Sequence, residues 1–171
     1  MQLSAKRAGE GAYSFVAFIV GSVRYALDIA HVREIVTPLS LTKLPHTPGG
    51  LAGVADHRSE VVPIINLRAR FNLPAAIEPN RKAKWILVSV GGKTVGLVVD
   101  DVLGVLRVSV GEFRPAPELG GGDQARGISN VTTYDGQLVF VLDLSKFEKL
   151  AESFDHQSLL PASEASEEEG A

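Results

Sequence analysis

Apolar residues along the chain cluster in short runs of about five to eight, rich in Val, Ile and Leu and separated by turn-forming residues. Runs of this length and composition favour β-strands over helices. Three pairs of runs are separated by only two residues, and each separating pair contains glycine: Gly21-Ser22, Gly91-Gly92 and Asp135-Gly136. Because glycine adopts the positive φ that a two-residue turn requires, the pattern predicts three antiparallel hairpins. We therefore expect a mostly β domain with less than about a fifth of its residues helical.

Some runs are apolar at consecutive positions, notably residues 15–20 and 138–142, which predicts strands that are buried on both faces. Helical periodicity is limited to short segments at residues 29–35, 67–71 and 143–150. The last of these predicts a closing helix. Since many short strands must close on themselves or stack, barrels or a sandwich are the expected architectures. We expect the polar, proline-bearing segment 73–83 to divide the sheet into two halves.

The chain has 171 residues and contains no cysteine. A domain of this size buries about 70% of its unfolded surface, which is enough for a hydrophobic core without covalent crosslinks. The lack of cysteine excludes disulfides, thiolate metal sites and a cysteine nucleophile, and it favours a reducing compartment. The first residues, MQLSAKRAGEGA, lack the apolar segment of a secretory signal, and the longest apolar runs are too short to span a bilayer. We expect a cytoplasmic protein that does not insert into the membrane.

Charge is distributed unevenly, although the formal net charge is only -3. Residues 151–171 contain six acidic side chains and no Lys or Arg, whereas residues 13–150 contain 15 basic and 13 acidic side chains. This nearly neutral body lacks the clustered cations of a nucleic-acid-binding surface, so we expect no nucleic-acid partner. We expect a flexible tail over residues 1–12, one domain over residues 13–150, and an acidic, disordered tail over residues 151–171.

Residues of the types used in catalysis are present, but their spacing does not support an active site. Asp56, His57 and Ser59 are the residue types of a hydrolase triad, yet neighbours along a strand point to opposite faces, and Ser59 lacks the G-x-S-x-G elbow. His31, His46 and His57 do not follow the spacing of a metal-binding motif. We therefore expect a protein that is not an enzyme and that has no cofactor or metal.

The order of several short motifs resembles the CheW family of chemotaxis coupling proteins. In the first half, YALDIAHVREIV precedes LTKLPHTPGGLAGVADHRSEVVPIINLRARF, and together they resemble the family's xVxEI and P…P…GV-N-L-R-G segments. In the second half, TVGLVVDDVLGVLRV resembles the VGxxVDxVxxV run, FRPAPEL the I-x-P-x-P segment, and YDGQLVFVLDLSKF the closing strand and helix. The resemblance covers residues 13–150, and the ordered series is more specific than any single motif.

The resemblance implies an all-β fold of two intertwined five-stranded SH3-like β-barrels with a groove between them and short helices, including a C-terminal one. It also implies a non-catalytic adaptor at receptor arrays, which binds the cytoplasmic tip of a methyl-accepting chemoreceptor through the groove. The regulatory domain of a CheA-type histidine kinase would bind the first barrel. By position, the receptor-facing residues are Val32, Glu34, Ile35, Arg58, Val102 and Val105. The kinase-facing residues are Leu41, Leu44 and Leu51.

Two segments depart from the family pattern. Where the family has N-L-R-G, this chain has Asp56-His57-Arg58-Ser59, so the arginine is kept while Leu becomes His and Gly becomes Ser. If the glycine position requires positive φ, Ser59 introduces strain of about 1 kcal/mol or changes the turn. Asn66 replaces the aspartate that is usual in the family's PxxDL segment.

The residue types of the receptor-facing set suit a helix-binding groove. Apolar side chains accept those of a helix at i, i+3 and i+4, and a pair formed by Glu34 and Arg58 would orient the groove wall. Two alternatives remain open on the sequence. One is a CheW-like paralogue that has lost one partner and acts as an accessory scaffold. The other is an unrelated β-barrel that binds a small ligand.

Overall fold

The computed structural model describes residues 11–45, 50–116 and 127–148. Within these ranges the chain forms eleven strands: β1 (Ala12–Val20), β2 (Val23–Asp28), β3 (Val32–Val36), β4 (Leu51–His57), β5 (Glu60–Asn66), β6 (Lys84–Val90), β7 (Lys93–Val99), β8 (Asp101–Ser109), β9 (Arg114–Pro115), β10 (Ile128–Tyr134) and β11 (Gln137–Leu142). Strands account for 59% of the described residues and helical turns for 12%. The predicted mostly β domain is therefore confirmed.

Within the described ranges, helical structure is confined to single turns. A four-residue helix, α1 (Leu67–Arg70), follows β5, and 3₁₀ turns lie at Ile29–His31, Val110–Glu112 and Leu144–Phe147. The expected closing helix thus begins as a 3₁₀ turn. Residues 149–171, which include the expected acidic tail, lie outside the described residues, and so do residues 1–10. In the described ranges, no helix has the length and hydrophobicity needed to cross a bilayer.

The strands form two sheets that share one chain in an interleaved order. The six-stranded sheet has the order β8-β1-β2-β11-β10-β9, and the five-stranded sheet has the order β3-β6-β7-β5-β4. The chain enters the five-stranded sheet after β2 and returns to the six-stranded sheet after β7. The expectation that segment 73–83 divides the sheet is therefore wrong, because this segment joins α1 to β6 beside the same five-stranded sheet.

The two sheets repeat one arrangement of strands. Hairpin β6–β7 corresponds to hairpin β1–β2, hairpin β4–β5 corresponds to β10–β11, and the outer strand β3 corresponds to β8. In each sheet the two hairpins meet through a parallel pair, β5 with β7 and β11 with β2. The six-stranded sheet contains one further strand, the two-residue β9, which has no counterpart in the five-stranded sheet. This arrangement confirms the predicted fold of two intertwined SH3-like barrels.

The three predicted hairpin turns form as the glycine pattern indicated. Gly21, Gly92 and Gly136 have φ values of 65°, 79° and 71° at the turns between paired strands. A fourth tight turn, which the sequence did not predict, joins β4 to β5 at Arg58 and Ser59, with φ values of 52° and 65°. Since a left-handed conformation is unfavourable by about 1 kcal/mol or more for a residue with a Cβ, the strain anticipated at Ser59 is present.

Among the described residues, buried side chains form three clusters, one inside each sheet and one between the sheets. In β1, Phe15 and Ala17 join the inner core of the six-stranded sheet, whereas Val16 and Phe18 join the cluster between the sheets, here called the central core. The strand is thus buried on both faces, as its consecutive apolar residues predicted. The run at residues 138–142 follows the same rule except at Leu138, which is 52% exposed.

Equivalent capped turns follow β5 and β11. Asn66 caps α1 by accepting the N–H of Arg68 at 3.0 Å, and Asp143 caps the last 3₁₀ turn in the same way. The N–H of Asn66 donates to Gly50 O at 2.8 Å, and the N–H of Asp143 donates to Gly127 O at 2.7 Å. The amide oxygen of Asn66 accepts the capping hydrogen bond. The cap is therefore preserved although Asn66 stands where the family usually has aspartate.

The return from the five-stranded to the six-stranded sheet is fixed at Asp100, between β7 and β8. Its carboxylate accepts the N–H of Gly21 at 2.6 Å and Nε of Arg68 at 3.0 and 3.1 Å. Its own N–H donates to Ile19 O at 2.9 Å, and its carbonyl accepts Nδ2 of Asn80 at 2.7 Å. These bonds tie hairpin β1–β2 to α1 and so fix where β8 begins.

Candidate partner-binding groove

The first wall of the candidate groove is β3, the outer strand of the five-stranded sheet. Val32 lies opposite Val88 and Ile35 opposite Ile86, with one extra residue, Arg33, inserted in the pairing between them. Directly opposite residues of an antiparallel pair present their side chains on the same face. Since Val88 and Ile86 both belong to the central core, Val32 and Ile35 face the same side despite their odd spacing.

The second wall is β8, the outer strand of the six-stranded sheet, and it repeats this geometry. Val102 lies opposite Phe18 and Val105 opposite Val16, while Leu103 is the extra residue between them. Phe18 and Val16 belong to the central core. The bulge therefore turns Val102 and Val105 to the side on which Val32 and Ile35 lie in the other sheet.

Each wall has an inner and an outer apolar residue. Val32 and Val102 are half-buried against the central core. Ile35 is 40% exposed and Val105 is 61% exposed. The structure thus brings these four sequence-predicted residues into two matched pairs that flank the central core. Apolar side chains spaced in this way offer contacts to a helix laid along the edge between the sheets.

Glu34 lies on the opposite face of β3, because it is paired with Leu87 of the inner core of the five-stranded sheet. Its Oε1 accepts Nη2 of Arg58 at 3.0 Å, so the ion pair predicted from the sequence forms. Its Oε2 lies 3.0 Å from Nε2 of His57. Glu34, His57 and Arg58 are here called the edge cluster.

The edge cluster joins the two outer strands of one sheet. β3 and β4 lie at opposite ends of the order β3-β6-β7-β5-β4, so contact between Glu34 and His57 closes that sheet on itself. A backbone pair extends the closure, since Thr42 and Val54 exchange two N–H···O bonds of 2.8 and 2.9 Å. The cluster therefore stabilises the wall that carries Ile35.

Sequence reasoning missed the role of His57. By resemblance this position is a departure from a family leucine, whereas in the structure His57 makes a hydrogen bond with the carboxylate that Arg58 also contacts. Glu34 and His57 are separated by 23 positions. No local spacing could have indicated the contact, because it arises only when the sheet closes.

The three residues that the resemblance predicts to face a kinase occupy different environments. Leu41 packs against the inner core of the five-stranded sheet, and Leu44 is half-buried in the segment between β3 and β4. Leu51 is only 7% exposed and belongs to the central core. Leu41 and Leu44 therefore retain accessible surface, whereas Leu51 is buried in the central core.

The residues considered for catalysis do not assemble into a catalytic or metal site within the described ranges. Asp56 and Ser59 are exposed, and His57 is engaged with Glu34. No group of three or more His, Asp or Glu side chains in this part of the chain is arranged to hold a metal ion. His46 lies outside the described residues.

The comparisons with known proteins all indicate the same family. A family model described as a CheW-like domain matches residues 14–151. The chain is 31% identical over 144 residues to chemotaxis protein CheW of Rhizobium meliloti, covering 84% of this chain and 92% of that protein. It is 32% identical over 139 residues to protein FrzA of Myxococcus xanthus, covering 81% and 85%. 

A solved structure agrees with the sequence matches. The crystal structure of the scaffolding protein TtCheW from Thermoanaerobacter tengcongensis superimposes with a TM-score of 0.72 and 25% identity, covering 83% of this chain and 91% of that one. With the two interleaved sheets and the family model spanning most of the sequence, the chain belongs to the CheW-like domain family.

Proposed function

We propose that this protein is a non-catalytic adaptor that couples chemoreceptors to a CheA-type histidine kinase in a bacterial chemosensory array. It would act in the cytoplasm, held at the array by its partners. Relatives that are chemotaxis proteins and a structural neighbour that is a scaffolding protein support the adaptor role. The proposal assigns the receptor tip to the groove between the sheets and the kinase regulatory domain to the five-stranded sheet.

The observation that carries the receptor assignment is the matched pair of bulged edge strands. A receptor tip is a helical hairpin, and a helix needs apolar contacts at i, i+3 and i+4 together with polar groups that fix its register. Val32 with Ile35 and Val102 with Val105 supply the apolar contacts on two walls. The edge cluster lies on the other face of β3, where it ties this wall to the end of β4.

The kinase assignment rests on surface near Leu41 and Leu44, where the chain pairs with the outer side of β4 through Thr42. Leu51 is buried in the central core, so any contribution that it makes to kinase binding would be indirect. Because the segment carrying Leu41 and Leu44 follows β3 and lies beside β4, the proposed kinase surface is distinct from the wall formed by β8.

A two-partner binding experiment tests the proposal. The full chain is titrated with a soluble cytoplasmic-tip fragment of a chemoreceptor, with the regulatory domain of a CheA-type kinase, and with both. We expect each partner to bind and a complex of all three to form. Binding of only one partner would instead identify an accessory scaffold, and binding of neither would contradict the adaptor role.

A further inference from the structure

We infer that Arg70 is the binding site for a carboxylate of this chain's own C-terminal segment, and that the carboxylate belongs to Glu152. Glu152 lies outside the described residues. The contact anchors the beginning of the C-terminal segment to α1, so the expected disordered tail begins after Glu152. The anchor uses no residue of the proposed groove or of the edge cluster, and it is therefore independent of the proposed function.

Arg70, the last residue of α1, has a buried nitrogen without an acceptor. Its Nε is buried and has no hydrogen-bond partner among the described residues. By contrast, Nε of Arg68, in the same helix, lies 3.0 and 3.1 Å from the carboxylate oxygens of Asp100. A buried donor without an acceptor is unfavourable, because it has lost its hydrogen bonds to water. Arg70 is therefore a candidate site for an acceptor from outside the described residues.

The Arg70 guanidinium lies at the place where the described part of the chain ends. Its Cζ is 5.6 Å from the centroid of the Phe147 ring, so the cation is held over the aromatic face. Phe147 ends the last 3₁₀ turn, and only Glu148 follows it among the described residues. The C-terminal segment therefore starts within a few residues of an arginine whose Nε lacks an acceptor.

Arg70 and Phe147 occupy equivalent positions in the internal repeat. Each lies four positions after the capping residue of its turn, and each covers the glycine whose carbonyl accepts the N–H of that capping residue. A Cβ at Gly50 would lie 3.3 Å from Cδ of Arg70, and a Cβ at Gly127 would lie 3.0 Å from Cε2 of Phe147. The contact between the arginine and the phenylalanine thus joins the two halves of the repeat, and packing on both sides fixes the position of the guanidinium.

The repeat also indicates where the C-terminal segment continues. After α1, Leu73 packs against the central core and the β1–β2 turn, where a Cβ at Gly21 would lie 3.0 Å from its Cδ1. Counted from the caps, the residue equivalent to Leu73 is Leu150, and the equivalent turn is that between β6 and β7 at Gly91. Glu148 already lies against this turn, since a Cβ at Gly91 would be 3.7 Å from its Cγ. We therefore expect Leu150 to pack there, which keeps the residues that follow it beside the domain.

The composition of the C-terminal segment supplies the ligand. Residues 151–171 contain six acidic side chains and no Lys or Arg. Glu152 is the first of the six, and it follows Phe147 by five positions, a span of at most about 18 Å. The guanidinium of Arg70 presents Nε and one Nη side by side, which matches the two oxygens of a carboxylate. Because a shorter connection gives a higher effective concentration, Glu152 is favoured over Asp155, the next acidic residue.

Backbone ¹⁵N relaxation of the full chain tests the anchor. Arg70→Met removes the charge and keeps an unbranched side chain over Phe147, Glu152→Ala removes the proposed ligand, and the double variant removes both. In the wild-type chain we expect order parameters of about 0.8 for residues 151–153. Each single variant should lower them to below about 0.6, and the double variant should lower them no further, because both changes break the same contact.

Asp155→Ala is the matched control, because it removes the next carboxylate of the same segment. It should leave the order parameters of residues 151–153 unchanged. The order parameters of β1 and β6 should stay near about 0.85 in all variants, which shows that the domain remains folded.

Three results would overturn the inference. Order parameters below about 0.6 at residues 151–153 of the wild-type chain would show that no anchor exists. A decrease in Arg70→Met without a decrease in Glu152→Ala would show that Arg70 orders the segment through its contact with Phe147 alone. A decrease in Asp155→Ala as large as that in Glu152→Ala would remove the assignment of the ligand to Glu152.

Discussion

Val102 and Val105 lie on the same face of β8, because Leu103 is an extra residue in the pairing of β8 with β1. In a regular strand, residues three apart point to opposite faces. The bulge thus exposes Val105 beside the central core instead of burying it inside the six-stranded sheet. The arrangement of β3 is the same, so the proposed groove would have two equivalent walls.

Because Val105 is exposed, we expect that a polar residue at this position has little effect on the stability of the protein. Val105→Thr, at 61% exposure, should change the free energy of unfolding by less than about 0.5 kcal/mol. Val108→Thr makes the same chemical change at a residue that is 1% exposed, and burial of its hydroxyl should lower the unfolding free energy by about 1 to 3 kcal/mol. Urea unfolding of both variants measures the difference, and equal losses would place Val105 inside the core.

The hydrogen bonds at Asp100 predict a structural role for its carboxylate. Asp100→Ala leaves the N–H of Gly21 and Nε of Arg68 without this acceptor, and we expect a loss of about 1 to 3 kcal/mol in unfolding free energy. Asp101→Ala is the matched control, because it removes the neighbouring carboxylate at the start of β8. If thermal unfolding shows the two variants to be equally stable, the bonds at Asp100 do not fix the passage between the sheets.

The turn at Arg58 and Ser59 predicts an unusual stabilising substitution. Ser59→Gly relieves a left-handed conformation, and after the added flexibility of glycine is allowed for, the gain should be about 0.5 to 1 kcal/mol. Gly136→Ser is the reverse change at the equivalent turn. A Cβ at Gly136 meets no atom within 4 Å, so Gly136→Ser causes no steric clash. Its expected loss of about 1 kcal/mol in unfolding free energy therefore reflects the positive φ alone. Chemical denaturation tests both, and destabilisation by Ser59→Gly would contradict the assigned strain.

The cap at α1 predicts how the chain tolerates the family residue. Asn66→Ala removes the acceptor of the Arg68 N–H and should lower the unfolding free energy by about 1 kcal/mol. Asn66→Asp restores the usual family residue and should keep the stability, since aspartate caps equally well. Thermal unfolding at neutral pH compares the three proteins, and a loss of stability in Asn66→Asp would show that the amide has a further role.

The sequence predicted those parts of the fold that depend on local chemistry. The turns at Gly21, Gly92 and Gly136 were predictable because glycine adopts positive φ easily. The turn at Arg58 and Ser59 was missed because neither residue favours that conformation. The bulges at Arg33 and Leu103 were also missed, since a bulge is defined by the partner strand and not by the residue that forms it.

The repeat of the two sheets had a weak sequence signal. The segments Asn66-Leu67 and Asp143-Leu144 each place a capping residue before a buried leucine at the end of a hairpin. The contact of Glu34 with His57 had no such signal, because it joins the two outer strands of a closed sheet. The resemblance was therefore enough to name the apolar residues of the candidate site. Only the structure shows that these residues lie on the same face of their strands and that Glu34, His57 and Arg58 form the edge cluster.

The central claim is that a receptor tip binds between the two walls, and the most direct measurement is a titration of groove variants. Ile35→Asp and Val105→Asp each place a charge on one wall at an exposed residue, so both proteins should remain folded. We expect isothermal titration calorimetry to show at least about a tenfold loss of affinity for the receptor-tip fragment in each variant, with unchanged binding of the kinase regulatory domain. Receptor affinity equal to that of the wild-type chain in both folded variants would contradict the claim.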